Sequence, residues 1–418
     1  MPAETDTIPL PNGWGEDARR YLESKGLVPI VPTIRSSDFE SVCSCPFKYY
    51  LTRRLGLKDA LRYSEAMSTG SWFHKRFEYF ELPPEQAELM MDQTLEKRCD
   101  ELRQICKAKG IPPDPTFNIL EREERDREMA WAWFKALRHV DIPHLNCSVV
   151  DYLNRPYWKI LGHEIKGVYK EDGLQLVAQY DMLLYHKEQN TVWVVDLKTV
   201  GGDATERLQV CPIEFQTQHY CHVTRSLMDN NVLQPALGVP SDAKFGGFIH
   251  IAIRRPTIKF GLADRDFIDE EHTLKSGPRK GQIEIRRKYS GEPRFSNYVD
   301  RCKRWYLGEG EFSNNEDARV ENPVVNISTT YADGLLDEER FELYRVRLDL
   351  LKKYATINPL PKNFPMSSAS LRSWGQINNY LPFYLTHPRE WPDIIQQNRM
   401  VCDWRDKDMD ESYSGITQ

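Results

Sequence analysis

The sequence predicts an α/β protein: a central mixed β-sheet flanked by helices, with a helical N-terminal part and a C-terminal extension. Three observations carry this. The first third shows apolar residues at helical spacing; β-rich runs divided by turn signals begin near residue 147; strand and helix patterns then alternate. With 418 residues, 40% hydrophobic and 28% charged, the chain can build a sizeable core and has an ordinary globular composition.

Taken in order, residues 1–35 are Pro-rich and polar and read as an extended arm. "SSDFESVCSCPFKYYLTRRLGL" opens a helix, with Ser37 and Glu40 spaced as a capping box and Pro46 placed to start a second helix. "GSWFHKRFEYF", "PEQAELMMDQTLEKRCDELRQICKAKG" and "NILEREERDREMAWAWFKALRHV" complete a helical region over 36–145. Strands follow in "KILGHEIKGVYK", "LQLVAQYDMLLYHK" and "TVWVVDLKTV", separated by the turns "EDG" and "EQN". A helix in "PIEFQTQHYCHVTRSLMD" and a strand in "FGGFIHIAIRRPTIKF" close a core over 146–265. The remaining 266–418 form a basic loop and a helical extension, with a helix near 335–355.

Several function classes are excluded at this stage. No apolar run is long enough to span a membrane, and "MPAETDTIPLPNGWG" lacks a basic segment followed by an apolar one, so no signal peptide, anchor or membrane partner is expected. A cytoplasmic location is the expectation. Nine sparse cysteines imply reduced thiols, and no C-x2-C pair completes a metal site with Cys43 and Cys45. A net charge of −6 gives no overall nucleic-acid footprint, and no G-x-x-x-x-G-K-[ST] phosphate loop is present.

The stretch "TVWVVDLKTV" carries Asp196 and Lys198 at alternate positions of an otherwise buried strand. Both must point to one side, where charge is costly unless partnered. If "EQN" closes a hairpin, Asp181 falls about opposite Leu197 or Lys198, so two carboxylates and an ammonium converge. A hard divalent cation such as Mg2+ suits that set; an interstrand ion pair satisfying its own charges is the plainer reading.

Gly-x-x-x-His in a helix, Asp181 in "AQYDMLL", "VVDLKT" after a hairpin and "QTQHY" in the next helix, together, resemble the RecB-like branch of the PD-(D/E)xK nuclease superfamily. "SDFESVCSCPFKYYLTRRLGL" is also similar to the helix opening such domains, and the likeness runs from about Ser36 to Tyr220. The resemblance implies a restriction-endonuclease-like core and metal-dependent phosphodiester hydrolysis, leaving 5′-phosphate and 3′-hydroxyl ends. It assigns His74, Glu164, Asp181 and Asp196 to a Mg2+ or Mn2+ ion, with the backbone carbonyl of Leu197. Lys198 joins Asp181 and Asp196 as the catalytic set, and Gln216 and Tyr220 contact DNA. It implies an exonuclease of recombination, repair or phage DNA metabolism; a phage-encoded copy would work in the bacterial host cytoplasm. Implied partners are DNA, as single strands or duplex ends, and a helicase or single-strand annealing protein. A nuclease-fold protein that binds without cutting is the alternative.

The sequence departs from that family at two places. Tyr180, not proline, precedes Asp181, and the region "NFPMSSASLRSWGQINNYLPFYLTHPREWPD" lacks the cysteines that would join Cys45, so no iron–sulfur cluster is expected. Trp374, Tyr380, Phe383, Tyr384 and Trp391 are placed to close that end by packing instead. Between Lys275 and Arg304, ten basic residues stand against three acids, with aromatics interleaved. Arg286, Arg287 and Lys288 in that run are the candidate nucleic-acid contacts.

Overall fold

A computed structural model describes residues 7–8, 14–59, 65–108, 110, 113–138, 140–256, 258, 260–273, 280, 282–315, 323–335, 338–367, 372–373, 376–377, 380–398, 400–402 and 416–417. Its elements, in chain order, are α1 (Glu16–Ser24), β1 (Ile34–Arg35), α2 (Ser36–Ser44), α3 (Glu65–Glu78), α4 (Pro84–Ala108) and α5 (Pro113–Leu137). Then come β2 (Trp158–Glu171), β3 (Leu174–His186), β4 (Thr191–Val200), α6 (Ala204–Val210), α7 (Phe215–Asp229) and β5 (Lys244–Arg254). The chain continues with β6 (Asp266–Thr273), β7 (Ile283–Ser290), α8 (Phe295–Leu307), β8 (Val325–Tyr331), α9 (Glu338–Thr356), α10 (Trp391–Gln397) and β9 (Ile416–Thr417).

The central sheet is mixed and runs β8-β5-β4-β3-β2-β9, with β1 paired to β3. β2, β3 and β4 form an antiparallel meander, and β4 then pairs parallel with β5 after the α7 crossover. One face carries Leu176, Ala178, Tyr180, Val192 and Val194 and is covered by α2, α7 and α9. The other carries Met182, Leu184, Val195, Leu197 and Ile251 and is covered by α3, α5 and α8. Burying both faces explains the near-continuous apolar runs. This is the α/β class the sequence predicts, a mixed sheet between helical layers.

Four expectations need correction or completion. The segment read as an arm contains α1, whose Ala18 and Leu22, one turn apart, are buried while Trp14 beside it packs on Phe47 and Trp391. Helix α2 begins at Ser36, not at a Ser37–Glu40 box: the Arg35 N–H donates to Asp38 Oδ2 at 2.9 Å. Pro46 does start a further helical turn, Pro46–Tyr49. Tyr380, Phe383, Tyr384 and Trp391 join the first core as expected, whereas Trp374 lies outside the described residues.

The expected basic loop is an antiparallel ribbon of β6 and β7, and this changes its charge. Register sets Arg286 opposite Glu270 and Arg287 opposite Asp269, and Lys288 Nζ lies 3.1 Å from Glu270 Oε1. Arg294, Arg301, Lys303 and Arg304 likewise meet Asp266, Asp264, Asp300 and Glu311. Counting basic residues along the chain misses the acids that strand pairing brings from β6. Lys275, Arg279 and the side chain of Arg287 lie outside the described residues.

Candidate metal centre and active site

The site forms where two strands part. The β3–β4 ladder runs from His186↔Thr191 to Met182↔Val195 and stops, while β1 takes up the same edge of β3 at Leu176 and Val177. At the fork, alternation along β3 slips: Tyr180 faces one core and Met182 the other. Asp181 lies between them, and its Oδ2 accepts the Leu197 N–H at 2.7 Å. A backbone donor that has lost its strand partner is thus satisfied by a carboxylate. The ladder points Asp181 at Asp196 rather than at Leu197 or Lys198, and the carboxylate itself makes up the difference.

The neighbouring strand bends to match. The β2 register shifts between Ile160 and Gly162, and Glu164 takes a left-handed φ of 49°, an uncommon conformation for a non-glycine residue. Glu164 Oε2 accepts from Gln179 Nε2 at 2.6 Å. From the other side, α3 comes close because Gly70 lacks a side chain: a Cβ there would lie 3.1 Å from Thr199 Oγ1 on β4. One turn on, His74 Nδ1 lies 3.3 Å from Asp181 Oδ1. Donor atoms of His74, Glu164 and Asp181 all fall within 4.8 Å of one another, and all three side chains are half-buried.

The electrostatics of this trio favour a cation. Burial, together with the Asp181 charge, raises the Glu164 carboxyl above its usual range. His74 is raised despite burial, because Asp181 and Glu164 stabilise its imidazolium. A cluster that binds protons this readily has excess negative charge for a metal to neutralise. One nitrogen and two carboxylates with solvent on one side fit a divalent ion that keeps waters, so His74, Glu164 and Asp181 are the residues that could hold one.

Lys198 and Asp196 sit beside the trio, on the face covered by α7. Lys198 Nζ donates to Asp196 Oδ1 at 2.9 Å and to Gln216 Oε1 at 2.7 Å. Burial opposes the ammonium charge, but Asp196 and Asp181 outweigh it and raise the Lys198 pKa. Burial likewise works against the Asp196 carboxylate, yet Lys198 and His250 hold it well below the usual carboxylate range. This answers the question raised by a charged pair in a buried strand: Gln216 from α7 and His250 from β5 supply the missing partners. Gln216 Nε2 also reaches Asp196 Oδ1 at 3.4 Å.

The predicted residues therefore converge with two redistributions. Asp196 joins Lys198, Gln216 and His250 rather than the His74, Glu164 and Asp181 trio. Tyr220 is 8% exposed and edge-on to Tyr180, with burial and the nearby Asp181 and Asp196 pushing its hydroxyl up to about 12. It packs under the site and also lines the cleft beside Glu164. Arg286 and Lys288 meet acids of their own ribbon, and no described contact ties them to the site. Sequence reasoning missed His250, whose strand reads as a plain apolar run, and missed a cleft of about 300 Å³ beside Glu164 and Tyr220. Arg35, Ser36, Ser37, Lys166 and Gln179 line that cleft.

The site thus sets a half-buried His–Glu–Asp trio beside a tethered ammonium, where the central strands part. Residues 36–257 match the family model of the PD-(D/E)XK nuclease superfamily, and the chain belongs to that superfamily. No curated protein and no solved structure matches it. Among the described residues, no helix is long and apolar enough to cross a membrane.

Proposed function

We propose that this protein is a Mg2+- or Mn2+-dependent deoxyribonuclease, an exonuclease acting on single strands or duplex ends in recombination, repair or phage DNA metabolism. The observation that carries the reading is the Lys198 ammonium, fixed by Asp196 and Gln216 beside the half-buried His74, Glu164 and Asp181. When bound, a divalent ion there would lower the pKa of a water and polarise a phosphate oxygen.

The chain's own groups do the rest. Lys198, with its pKa raised, stays protonated at neutral pH and serves as a fixed positive charge for the developing charge on phosphate. Being tethered at 2.9 and 2.7 Å, it needs no rearrangement to do so. Asp196 and Gln216 orient the ammonium, and Asp181 ties the metal-binding trio to β4 through Leu197 N–H. Lys166, Arg35 and the start of α2 line the adjoining cleft and supply donors suited to a DNA backbone.

Incubation with labelled linear and circular DNA in Mg2+, Mn2+ or EDTA tests the proposal. We expect cutting that EDTA abolishes; linear but not circular substrate consumed marks an exonuclease. His74→Ala and Glu164→Gln should each raise the Mn2+ concentration for half-maximal cutting about tenfold or more, by analogy with the cost of disturbing metal sites. Tight DNA binding without cutting in any metal would instead reveal a non-catalytic member.

A separate expectation concerns Gln216. Its hydrogen bond to a charged group is worth about 1.5–3 kcal/mol, so Gln216→Ala should cut turnover by roughly tenfold to a hundredfold. Single-turnover rates at saturating Mn2+ measure this, since metal affinity should change little. An unchanged rate would remove Gln216 from the site's working parts.

A further inference from the structure

A second cluster lies behind Asp196. Asp196 Oδ2 is 3.3 Å from His250 Nδ1, and Cys211 contributes a thiol; donor atoms of the three fall within 4.8 Å of one another. All three side chains are buried, with Asp196 4% exposed and His250 and Cys211 fully enclosed. His250 Nδ1 is the ring nitrogen turned toward Asp196, so it is the one that an ion in this cluster would take. Phe248 stacks on the imidazole at 5.3 Å and 11°, which fixes the ring plane.

We propose that Asp196, Cys211 and His250 form a binding site for a borderline-soft divalent ion of the zinc class, distinct from the Mg2+-type trio. The donor set is the reason. Imidazole, thiolate and carboxylate together suit tetrahedral Zn2+, and the thiolate is the donor that the His74, Glu164 and Asp181 trio lacks. Charge also balances: as the sulfur–metal bond forms, the Cys211 proton leaves to solvent, and the 2+ ion then faces one thiolate, one carboxylate and a neutral imidazole. Occupation competes with Lys198 for Asp196, whose Oδ1 holds the ammonium. On the proposed nuclease reading, such an ion therefore acts as an inhibitor.

The test uses the full-length, reduced, metal-free protein and Co2+ as the optical substitute for Zn2+. We expect a thiolate-to-cobalt absorption band that saturates at one equivalent. Cys211→Ser should abolish it and His250→Gln should strongly weaken it, while Cys43→Ser, at an exposed thiol, and Asp181→Asn, in the other cluster, should retain it. No band, or one that survives Cys211→Ser, overturns the proposal. Should a variant fail to fold, the wild-type chain still decides: Zn2+ must slow alkylation of Cys211, and an unchanged rate defeats the site. Both readouts are independent of cutting. A cobalt band without nuclease activity would sink the nuclease reading alone, and cutting without the band would sink the zinc-class site alone.

Discussion

Lys198→Ala should lower metal-dependent DNA cutting by about 10²–10³-fold, the range seen when one preorganised donor to a developing oxyanion is removed. The argument rests on how the ammonium is held. Asp196 and Gln216 fix it at 2.9 and 2.7 Å on a strand that is paired on its other side to β5, so its position does not depend on substrate. DNA affinity should fall far less than turnover, because the cleft donors Arg35 and Lys166 remain. Lys198→Arg should not rescue: a planar guanidinium cannot reproduce a compact ammonium between two acceptors. Turnover at saturating DNA and Mn2+, with affinity measured in Ca2+, separates the two effects. A Lys198→Ala enzyme that cuts at the parental rate would leave the site without its proposed centre.

The same pair gives a signed pH expectation for the metal-free protein. Lys198 is raised above its ordinary 10.5, so its stabilisation is complete below that value and is lost as pH rises through the folded value. Asp196 is depressed below its ordinary 3.8, so its contribution is complete above that value and is lost as pH falls through the folded one. Between those ordinary values the pair contributes evenly. In Lys198→Ala, Asp196 loses its ammonium partner, and acid unfolding should begin at higher pH than in the parent, as followed by tryptophan fluorescence.

How much of this could be read in advance depended on whether the signal was local. Alternation of Asp196 and Lys198 with apolar neighbours marked a strand with one charged face directly from spacing, whereas Gln216 entered only through the family resemblance. The hairpin placed Asp181 one or two residues from its observed station. Glu164 owes its position to a bulge and a left-handed φ, which no pattern of side chains encodes. His250 was invisible for a different reason: it meets Asp196 through a parallel pairing, and nothing in "FGGFIHIAIRR" fixes which residue of β4 it will face. Cys211 reaches the same spot from the short helical turn before α7. Part of the basic run's charge pairing was hidden because Glu270 and Asp266 come from β6, which only strand pairing and the following helix bring alongside.

Asp38→Ala should destabilise the fold by about 3–5 kcal/mol, the cost of removing one member of a buried ion pair. Asp38 and Arg53 are 1% and 5% exposed, with Arg53 Nε 2.6 Å and Nη2 3.0 Å from the two carboxylate oxygens. Burial pushes the Asp38 carboxyl above the usual carboxylate range even so, which shows how expensive charge is at this position. The pair is therefore better understood as fixing geometry than as supplying net stability. Asp38 also accepts the Arg35 N–H that starts α2, and Arg35 belongs to β1, which occupies the edge of β3 beyond the fork. Loss of the carboxylate thus takes from the buried Arg53 its carboxylate partner and loosens the wall of the cleft at Arg35, Ser36 and Ser37. Replacing both partners, as Asp38→Leu with Arg53→Met, should cost less than Asp38→Ala alone, because no charge is left in the apolar interior. Urea unfolding of the parent, the two single variants and the double variant closes the cycle. If the double variant merely sums the singles, the two side chains are not coupled, and the cleft wall must be held by something other than this pair.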